Sequence, residues 1–361
     1  MGRVDESCFE PKSATQVFKR GVAECVRDGG SAWVTVVAML LAPTAIVVAG
    51  QYVIWRTGAG ELLETMQKGG LDPKTLDPGE LFGGIALAVG VGAVSGILSF
   101  LAQYASGVAM ARMMAERALG RAFGPAQAWD FVLGRASKII SGAAALMLVL
   151  VAGAVVGEIP GSIIGAAIGM GSGRLQPGAP PPIVMRIAPL VTMVPVLVAL
   201  AVYLVAMVAV TGVENQGGFA ALSRSWRLAS GHFRHVLGAI VIAGLAFTAP
   251  GMAVGMLAQT PVAAHLRESL GAATGMAAVT GVSCLLSLLL SPFMLTVQAI
   301  IYLDLRSRQR EETFTAYELA LDVGGELPEG VAGPTEGVAP ELPVVPEPPR
   351  GGSVQPPSDT P

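Results

Sequence analysis

The sequence predicts an all-α fold, a polytopic membrane bundle of six transmembrane helices. Hydrophobic residues make up 52% of the chain and charged residues only 14%, whereas charged residues make up about 25% of ordinary soluble domains. The apolar residues are concentrated in six stretches that are almost free of charge. Each stretch reaches the length of about 20 residues that an α-helix needs to cross a hydrocarbon core about 30 Å thick. The stretches cover residues 32–55, 81–110, 139–170, 187–212, 236–258 and 275–303.

The distribution of polar residues divides the chain into four parts. Residues 1–31 form a polar N-terminal segment without a short apolar core, so no cleaved signal peptide is expected. Residues 32–303 form the six-span membrane domain, and residues 304–322 are predicted to hold a short cytoplasmic helix. Residues 323–361 are rich in proline and lack periodicity, so they are predicted to be a disordered tail.

A short amphipathic helix is predicted before the first, third and fifth spans. Apolar residues recur at helical spacing in each of them, with Lys and Arg outside the stripe. The stripes consist of Val17, Phe18, Val22, Cys25 and Val26; of Trp129, Val132, Leu133, Ala136 and Ile140; and of Phe219, Leu222, Trp226, Ala229 and Phe233. An apolar stripe beside basic residues is typical of a helix that lies in the headgroup plane. Packing of these helices against the ends of the spans is the alternative interpretation.

The positions of the short helices indicate a threefold repeat. Each short helix is followed by a span, a loop and a return span, so the pattern predicts three parallel hairpins that all enter from the cytoplasm. A six-helix bundle without internal symmetry is the alternative.

Small residues within the spans predict close helix packing. A Gly92-x-x-x-Gly96 step lies in the second stretch, and small faces let helix backbones approach each other in lipid. Packing within the chain is favoured over a dimer seam. Pro160 is predicted to end the membrane-crossing part of the third span and to leave residues 161–173 as an external or re-entrant extension. Glycines recur in that extension at Gly161, Gly165, Gly169 and Gly173.

Lysine and arginine predict the orientation. If the N-terminus is cytoplasmic, most of the Lys and Arg residues that flank the spans fall on the cytoplasmic side. The positive-inside rule therefore predicts both termini in the cytoplasm. The net charge of −3 gives no indication of a nucleic-acid partner.

Ionisable side chains are absent from the middle of all six stretches. Glu158, Glu214 and Asp304 all lie at the ends of spans. Because ionisable groups within a membrane usually mark ion or proton pathways, their absence disfavours a proton-coupled transporter. His232 and His235 share a helix face but have no acidic neighbour in the sequence, so they are expected to contact headgroups rather than a metal.

The remaining residues give no indication of catalysis. No motif of the serine hydrolases, zinc proteases or phosphate-binding loops occurs in the sequence. The spacing of Cys8, Cys25 and Cys284 predicts free thiols rather than a disulfide or zinc framework. No catalytic residue, metal ligand or cofactor is therefore predicted, and the chain is expected not to be an enzyme.

Two segments carry a resemblance to a known family. Residues 218–233 read Gly-Phe-Ala-Ala-Leu-Ser-Arg-Ser-Trp-Arg-Leu-Ala-Ser-Gly-His-Phe, and residues 302–308 read Tyr-Leu-Asp-Leu-Arg-Ser-Arg. Together with the helix at 12–23, they resemble a bacterial six-span family that includes the membrane domain of some glycerophosphodiester phosphodiesterases and the YciC-like envelope proteins. Since the 361 residues contain no soluble phosphodiesterase domain, the resemblance, which covers residues 12–322, implies the fold and not that activity.

The preferred functional hypothesis is a non-enzymatic integral inner-membrane protein whose basic helices contact anionic lipid headgroups or a cytoplasmic protein partner. Each basic residue near an anionic surface contributes about 1 kcal/mol to binding. The candidate contact residues are Arg224, Trp226, Arg227 and Arg234.

A permease or export component for an uncharged or amphipathic substrate is the alternative hypothesis. Its polar path through the bilayer is predicted to use Gln103, Tyr203 and Gln298, although hydrogen bonds between spans also account for such residues. An enzyme acting on lipids is the third and least favoured hypothesis.

Overall fold

The computed structural model describes residues 4–5, 9–27, 30–60, 78–171, 183–257, 265, 268–309 and 314–324. Long helices dominate these ranges, and short helices connect them. The helices are α1 (Ala14–Arg27), α2 (Ser31–Arg56), α3 (Pro78–Ala118), α4 (Pro125–Gly134), α5 (Ala136–Gly171), α6 (Ile183–Leu204), α7 (Met207–Val213), α8 (Gly218–Ala229), α9 (Phe233–Leu257), α10 (Ala272–Ser307) and α11 (Ala316–Val323).

The predicted all-α polytopic fold is confirmed. Helices α2, α3, α5 and α10, and the pair α6 and α7 taken together, are each long and apolar enough to cross a membrane. Helices α8 and α9 meet the same test as a pair, with a bend of 104° between them. The described ranges contain no β-strand. This is the architecture of a multi-pass membrane protein with five or six spans.

The order short helix, long helix, long helix recurs three times along the chain. Within each unit the two long helices pack on each other: α2 on α3, α5 on α6, and α9 on α10. The predicted hairpins are therefore present as packed pairs, while a symmetry that relates the three units stays a prediction.

Helix α10 forms the centre of the bundle. It packs against α1, α2, α3 and α9, and nearly every residue from Leu295 to Arg306 is buried. Gly21 allows α1 to approach closely, since a Cβ atom at that position would lie 3.1 Å from the Cα atom of Val297. The last turns of α10 thus run through the protein interior rather than ending at its surface.

The fourth span is interrupted, although the sequence predicts one continuous stretch. A turn at residues 205–206 separates α6 from α7. The hydroxyl of Ser225 in α8 donates to the backbone carbonyl of Tyr203 at 2.8 Å, and it satisfies an acceptor at the break. A side chain that enters the backbone ladder in this way is a recognised cause of helix interruption.

Pro160 does not end the helix in which it lies, and its predicted role as the end of the membrane-crossing part of the third span stays a prediction. Helix α5 continues through this proline to Gly171, and residues 172–173 of the predicted extension lie outside the described ranges. A proline in a membrane helix is tolerated where a neighbouring helix accommodates the disturbed backbone. Helix α6 lies in contact here, because a Cβ atom on Gly157 would be only 2.7 Å from the Cα atom of Met193.

The region after the last span differs from the predicted helix at 304–322. Residues 304–307 belong to α10, and a separate helix, α11, begins after Thr315, whose hydroxyl accepts from the Glu318 amide. Gly324 ends α11 in the left-handed conformation with φ of 70°. The predicted disordered tail lies outside the described residues from 325 onward.

Close α5–α6 packing predicts that Gly157→Ala destabilises the protein by about 1 to 3 kcal/mol, because the new methyl group overlaps the backbone of α6. The matched control is Gly96→Ala in α3, where a Cβ atom meets nothing within 4 Å and higher helix propensity adds up to about 1 kcal/mol of stability. Unfolding midpoints measured in the same detergent compare the two. Equal midpoints for both variants would contradict the packing described here.

Candidate functional site

Buried charges gather at one end of the bundle, where the short helices α1, α4, α8 and α11 meet the ends of the long helices. Four of the side chains involved come from α3 and α10, namely Arg112, Glu116, Asp304 and Arg306, and all are buried. Because a buried charge needs a partner to offset its desolvation, these residues determine how the short helices attach.

The first group is the Glu214 cluster, formed by Glu214, Arg224, Tyr302, Arg306 and Asp322. Arg224 Nε lies 3.0 Å from Glu214 Oε2, and the hydroxyl of Tyr302 donates to Glu214 Oε1 at 3.0 Å. Arg306 Nη1 lies 3.6 Å from Glu214 Oε1, while its Nη2 donates to Asp322 Oδ2 at 2.8 Å. The cluster therefore ties α8 and α11 to the end of α10.

The second group is the Asp304 cluster, formed by Lys12, His235, Asp304 and Arg308. The Asp304 side chain is 2% exposed, and it accepts from Arg308 Nε at 2.8 Å and from the Lys12 backbone amide at 2.6 Å. His235 Nε2 lies 2.7 Å from the same carboxylate. His235 therefore has an acidic partner that the sequence does not reveal, because Asp304 is distant in sequence but adjacent in space.

The third group is the Glu116 cluster, formed by Arg112, Glu116, Arg121, Phe131 and Arg135. Arg112 Nη2 lies 2.7 Å from Glu116 Oε1, and Arg121 Nη1 lies 3.1 Å from Glu116 Oε2. The guanidinium groups of Arg112 and Arg135 both lie over the ring of Phe131, at 5.1 and 4.1 Å from its centroid. This cluster joins the end of α3 to α4.

The predicted contact residues of α8 and α9 fall into two sets. Arg224 is turned inward to Glu214, and Trp226 stacks on Tyr203 with ring centroids 4.0 Å apart. Arg227 and Arg234 are exposed. The charge of Arg224 is thus already paired within the protein, while Arg227 and Arg234 face outward.

Helix α8 has two apolar faces instead of the single predicted stripe. Ala221, Leu228 and Ala229 are buried against the bundle. Phe219 and Trp226, which the stripe placed on the same face as Ala229, are 63% and 44% exposed. Small residues form the inner face because they allow close approach to α5 and α6, and the aromatic residues remain outside.

The other two short helices also combine a packed face with an exposed apolar one. In α1, Val17 and Cys25 are buried while Val26 is exposed. In α4, Phe131 is buried while Leu133 is exposed. The alternative of packing against the span ends is therefore observed, while a position in the headgroup plane, for which these exposed apolar side chains are available, stays a prediction.

The residues of the predicted polar path are not joined by hydrogen bonds in the described part of the chain. Gln103 is exposed on α3, and Gln298 is half-buried on α10. Tyr203 is engaged with Trp226.

Metal binding has no support among the described residues. No three His, Cys, Asp or Glu side chains within the ranges given above lie close enough together to hold a metal ion. Cys25 and Cys284 are not joined to each other in a disulfide, and Cys8 lies outside the described residues.

Comparisons with protein-family models, with characterised proteins and with solved structures return no match.

The Glu214 cluster predicts that Glu214→Gln lowers the free energy of unfolding by about 3 kcal/mol, because Arg306 then keeps a buried positive charge beside a neutral amide. The control is Glu158→Gln, an exposed carboxylate on α5, for which a change below about 0.5 kcal/mol is expected. Denaturant titration in a single detergent measures both. An equal loss in the two variants would show that the cluster does not stabilise the fold.

The docking of α11 is predicted to depend on pH. Burial raises the pKa of Asp322 to about 6, against the opposing influence of the Arg306 charge. In a released α11 the carboxyl returns to its ordinary pKa near 3.8, so the docked helix binds a proton between these values that the released helix does not. Docking is therefore strongest below about pH 4, weakens by about a hundredfold as the pH rises through about 6, and is constant above about pH 7.

Hydrogen exchange of the α11 amides, corrected for the intrinsic effect of pH, measures this change. Asp322→Asn keeps an acceptor for Arg306 and removes the titration, so the opening equilibrium of this variant should be independent of pH over the same range. The same pH dependence in both proteins would assign it to another group.

Proposed function

We propose that this chain is a non-enzymatic multi-pass protein of the bacterial inner membrane, in which the short helices lie at the cytoplasmic surface and contact anionic lipid headgroups through α8. The arrangement of all the short helices at one end of the bundle supports this orientation. Exposed basic residues occur at that same end, including Lys19, Arg27, Arg227 and Arg234. The proposal includes membership of the bacterial six-span family that residues 218–233 resemble.

The outer face of α8 is the single observation that carries the proposal. Phe219 and Trp226 present large apolar surfaces to the outside, and Arg227 and Arg234 are exposed beside them. Apolar side chains at this position enter the boundary between headgroups and acyl chains, while arginine side chains extend to the phosphates. Two arginines together contribute about 2 kcal/mol to contact with an anionic surface.

The inner contacts of α8 keep this face in a fixed orientation. Arg224 pairs with Glu214, Ser225 donates to the backbone of Tyr203, and the Trp226 ring lies nearly parallel to the Tyr203 ring at 15°. Because the helix is already ordered, contact with lipid requires little further loss of conformational freedom. The candidate residue Arg224 therefore has a positioning role, and Arg227 and Arg234 make the contact.

The same geometry gives the permease alternative less support. A path through Gln103, Tyr203 and Gln298 requires the three residues to line one channel. Tyr203 is instead part of the stack that holds α8, and Gln103 faces outward.

Hydrogen exchange of α8 in lipid nanodiscs tests the headgroup contact. The full chain is compared in discs of phosphatidylcholine and in discs that also contain phosphatidylglycerol. We expect the anionic lipid to slow exchange of the α8 amides by about thirtyfold, the factor that corresponds to about 2 kcal/mol from two arginines. The double substitution Arg227→Gln and Arg234→Gln should remove this difference between the two kinds of disc.

The matched control is Arg56→Gln, which removes an exposed arginine from the C-terminal end of α2, the end that lies away from α1. This variant should respond to phosphatidylglycerol as the unmodified protein does. A lipid effect that is absent from the unmodified protein, or that survives the double substitution, would refute the proposed contact.

A further inference from the structure

The Glu116 cluster carries more positive charge than its own residues neutralise. Three guanidinium groups, those of Arg112, Arg121 and Arg135, lie around the single carboxylate of Glu116. The charges of Arg121 and Arg135 both act unfavourably on Arg112. The cluster therefore holds two positive charges in excess, in a region where Arg112 itself is only 9% exposed.

Two donors of the cluster have no acceptor among the described residues. Arg112 Nε and Arg121 Nη2 are buried and make no hydrogen bond, although the other side of each guanidinium group donates to Glu116. A buried charged donor without an acceptor destabilises the folded protein more than a neutral one does, because it loses more hydration free energy. Such donors therefore normally have an acceptor. An anion with several oxygen atoms could accept a hydrogen bond from each of these two donors.

The surrounding contacts hold the arginines in position. Arg135 Nε donates to the side-chain oxygen of Asn215 at 2.8 Å, and Lys138 Nζ donates to the backbone oxygen of Asn215 at 2.9 Å. Asn215 has a φ of 55°, a left-handed conformation that asparagine tolerates better than most residues. The guanidinium groups of Arg112 and Arg135 both lie against the Phe131 ring.

We propose that Arg112, Arg121 and Arg135 form a binding site for one phosphate group. Arginine forks match the oxygen atoms of phosphate and remain charged at all physiological pH values. The Arg121 side chain is 25% exposed and Arg135 is half-buried, so a phosphate approaches from the side of the α3–α4 connection. The phosphate belongs either to an anionic lipid headgroup or to a soluble ion, and both use the same donors.

This site is distinct from the outer face of α8, and none of its residues belongs to that face. It involves Arg112, Arg121 and Arg135, whereas the proposed lipid contact of α8 involves Arg227 and Arg234. The failure of one proposal therefore leaves the other unaffected.

Calorimetric titration of the full chain in an uncharged detergent tests the site. The probes are inorganic phosphate, dihexanoyl phosphatidylglycerol and dihexanoyl phosphatidylcholine. We expect saturable binding of phosphatidylglycerol, and binding of inorganic phosphate as well if a free ion is sufficient. The double substitution Arg121→Gln and Arg135→Gln should weaken this binding by at least about tenfold, the effect of one lost charged hydrogen bond.

The matched control is the double substitution Arg27→Gln and Arg56→Gln, which removes the same charge from exposed positions outside both the Glu116 cluster and the α8 contact and should leave the affinities unchanged. If the first double variant does not fold, Arg121→Gln alone, which removes one charged hydrogen bond, should still weaken binding by about tenfold. If phosphatidylglycerol binds and inorganic phosphate does not, the site is assigned to a lipid headgroup. The proposal is overturned if the unmodified protein binds neither anionic probe, or if the cluster variants bind them as tightly as the control does.

Discussion

The buried charge of Arg306 is the constraint on which the end of the bundle that carries the short helices depends. The last turns of α10 run through the protein interior, so the guanidinium group is only 6% exposed. An unpaired charge there would cost several kcal/mol. Glu214 at the end of α7 and Asp322 in α11 supply the two carboxylates, and Phe314 covers the group at 5.0 Å. Three chain segments that are distant in sequence are thus held at one point.

The same constraint explains why α8 has a fixed orientation on the bundle. Glu214 accepts from Arg224 as well as from Tyr302, so the first turns of α8 are fixed to the bundle through the carboxylate that neutralises Arg306. The break between α6 and α7 adds a second attachment, because Ser225 satisfies the Tyr203 carbonyl there. With its small residues committed to these inner contacts, α8 keeps its aromatic residues and Arg227 on the outside. The attachment of α8 to the bundle therefore both pairs the buried charge of Glu214 and leaves the aromatic residues and Arg227 on the outside.

The sequence predicts the apolar spans well, because hydropathy is a local property. It predicts the ion-pair partners of the charged residues poorly, because these partners are far apart in the chain. Glu214 and Asp304 were correctly placed at span ends, but the pairs Glu214–Arg306 and His235–Asp304 join residues far apart in the chain. The inner face of α8 was misassigned because the largest apolar residues defined the predicted stripe. Close approach between helices needs small residues instead, and Ala221 and Ala229 were the available signal.

Charge balance distinguishes the Glu116 cluster from the Glu214 cluster. In the Glu214 cluster, two arginines face two carboxylates, so its charges cancel without any outside group. In the Glu116 cluster, three arginines face one carboxylate, and buried donors of two of them lack an acceptor. A purely structural role for these arginines leaves both the excess charge and the incomplete hydrogen bonding unexplained. A phosphate group resolves both at once, because it supplies negative charge and acceptor oxygens in the same place.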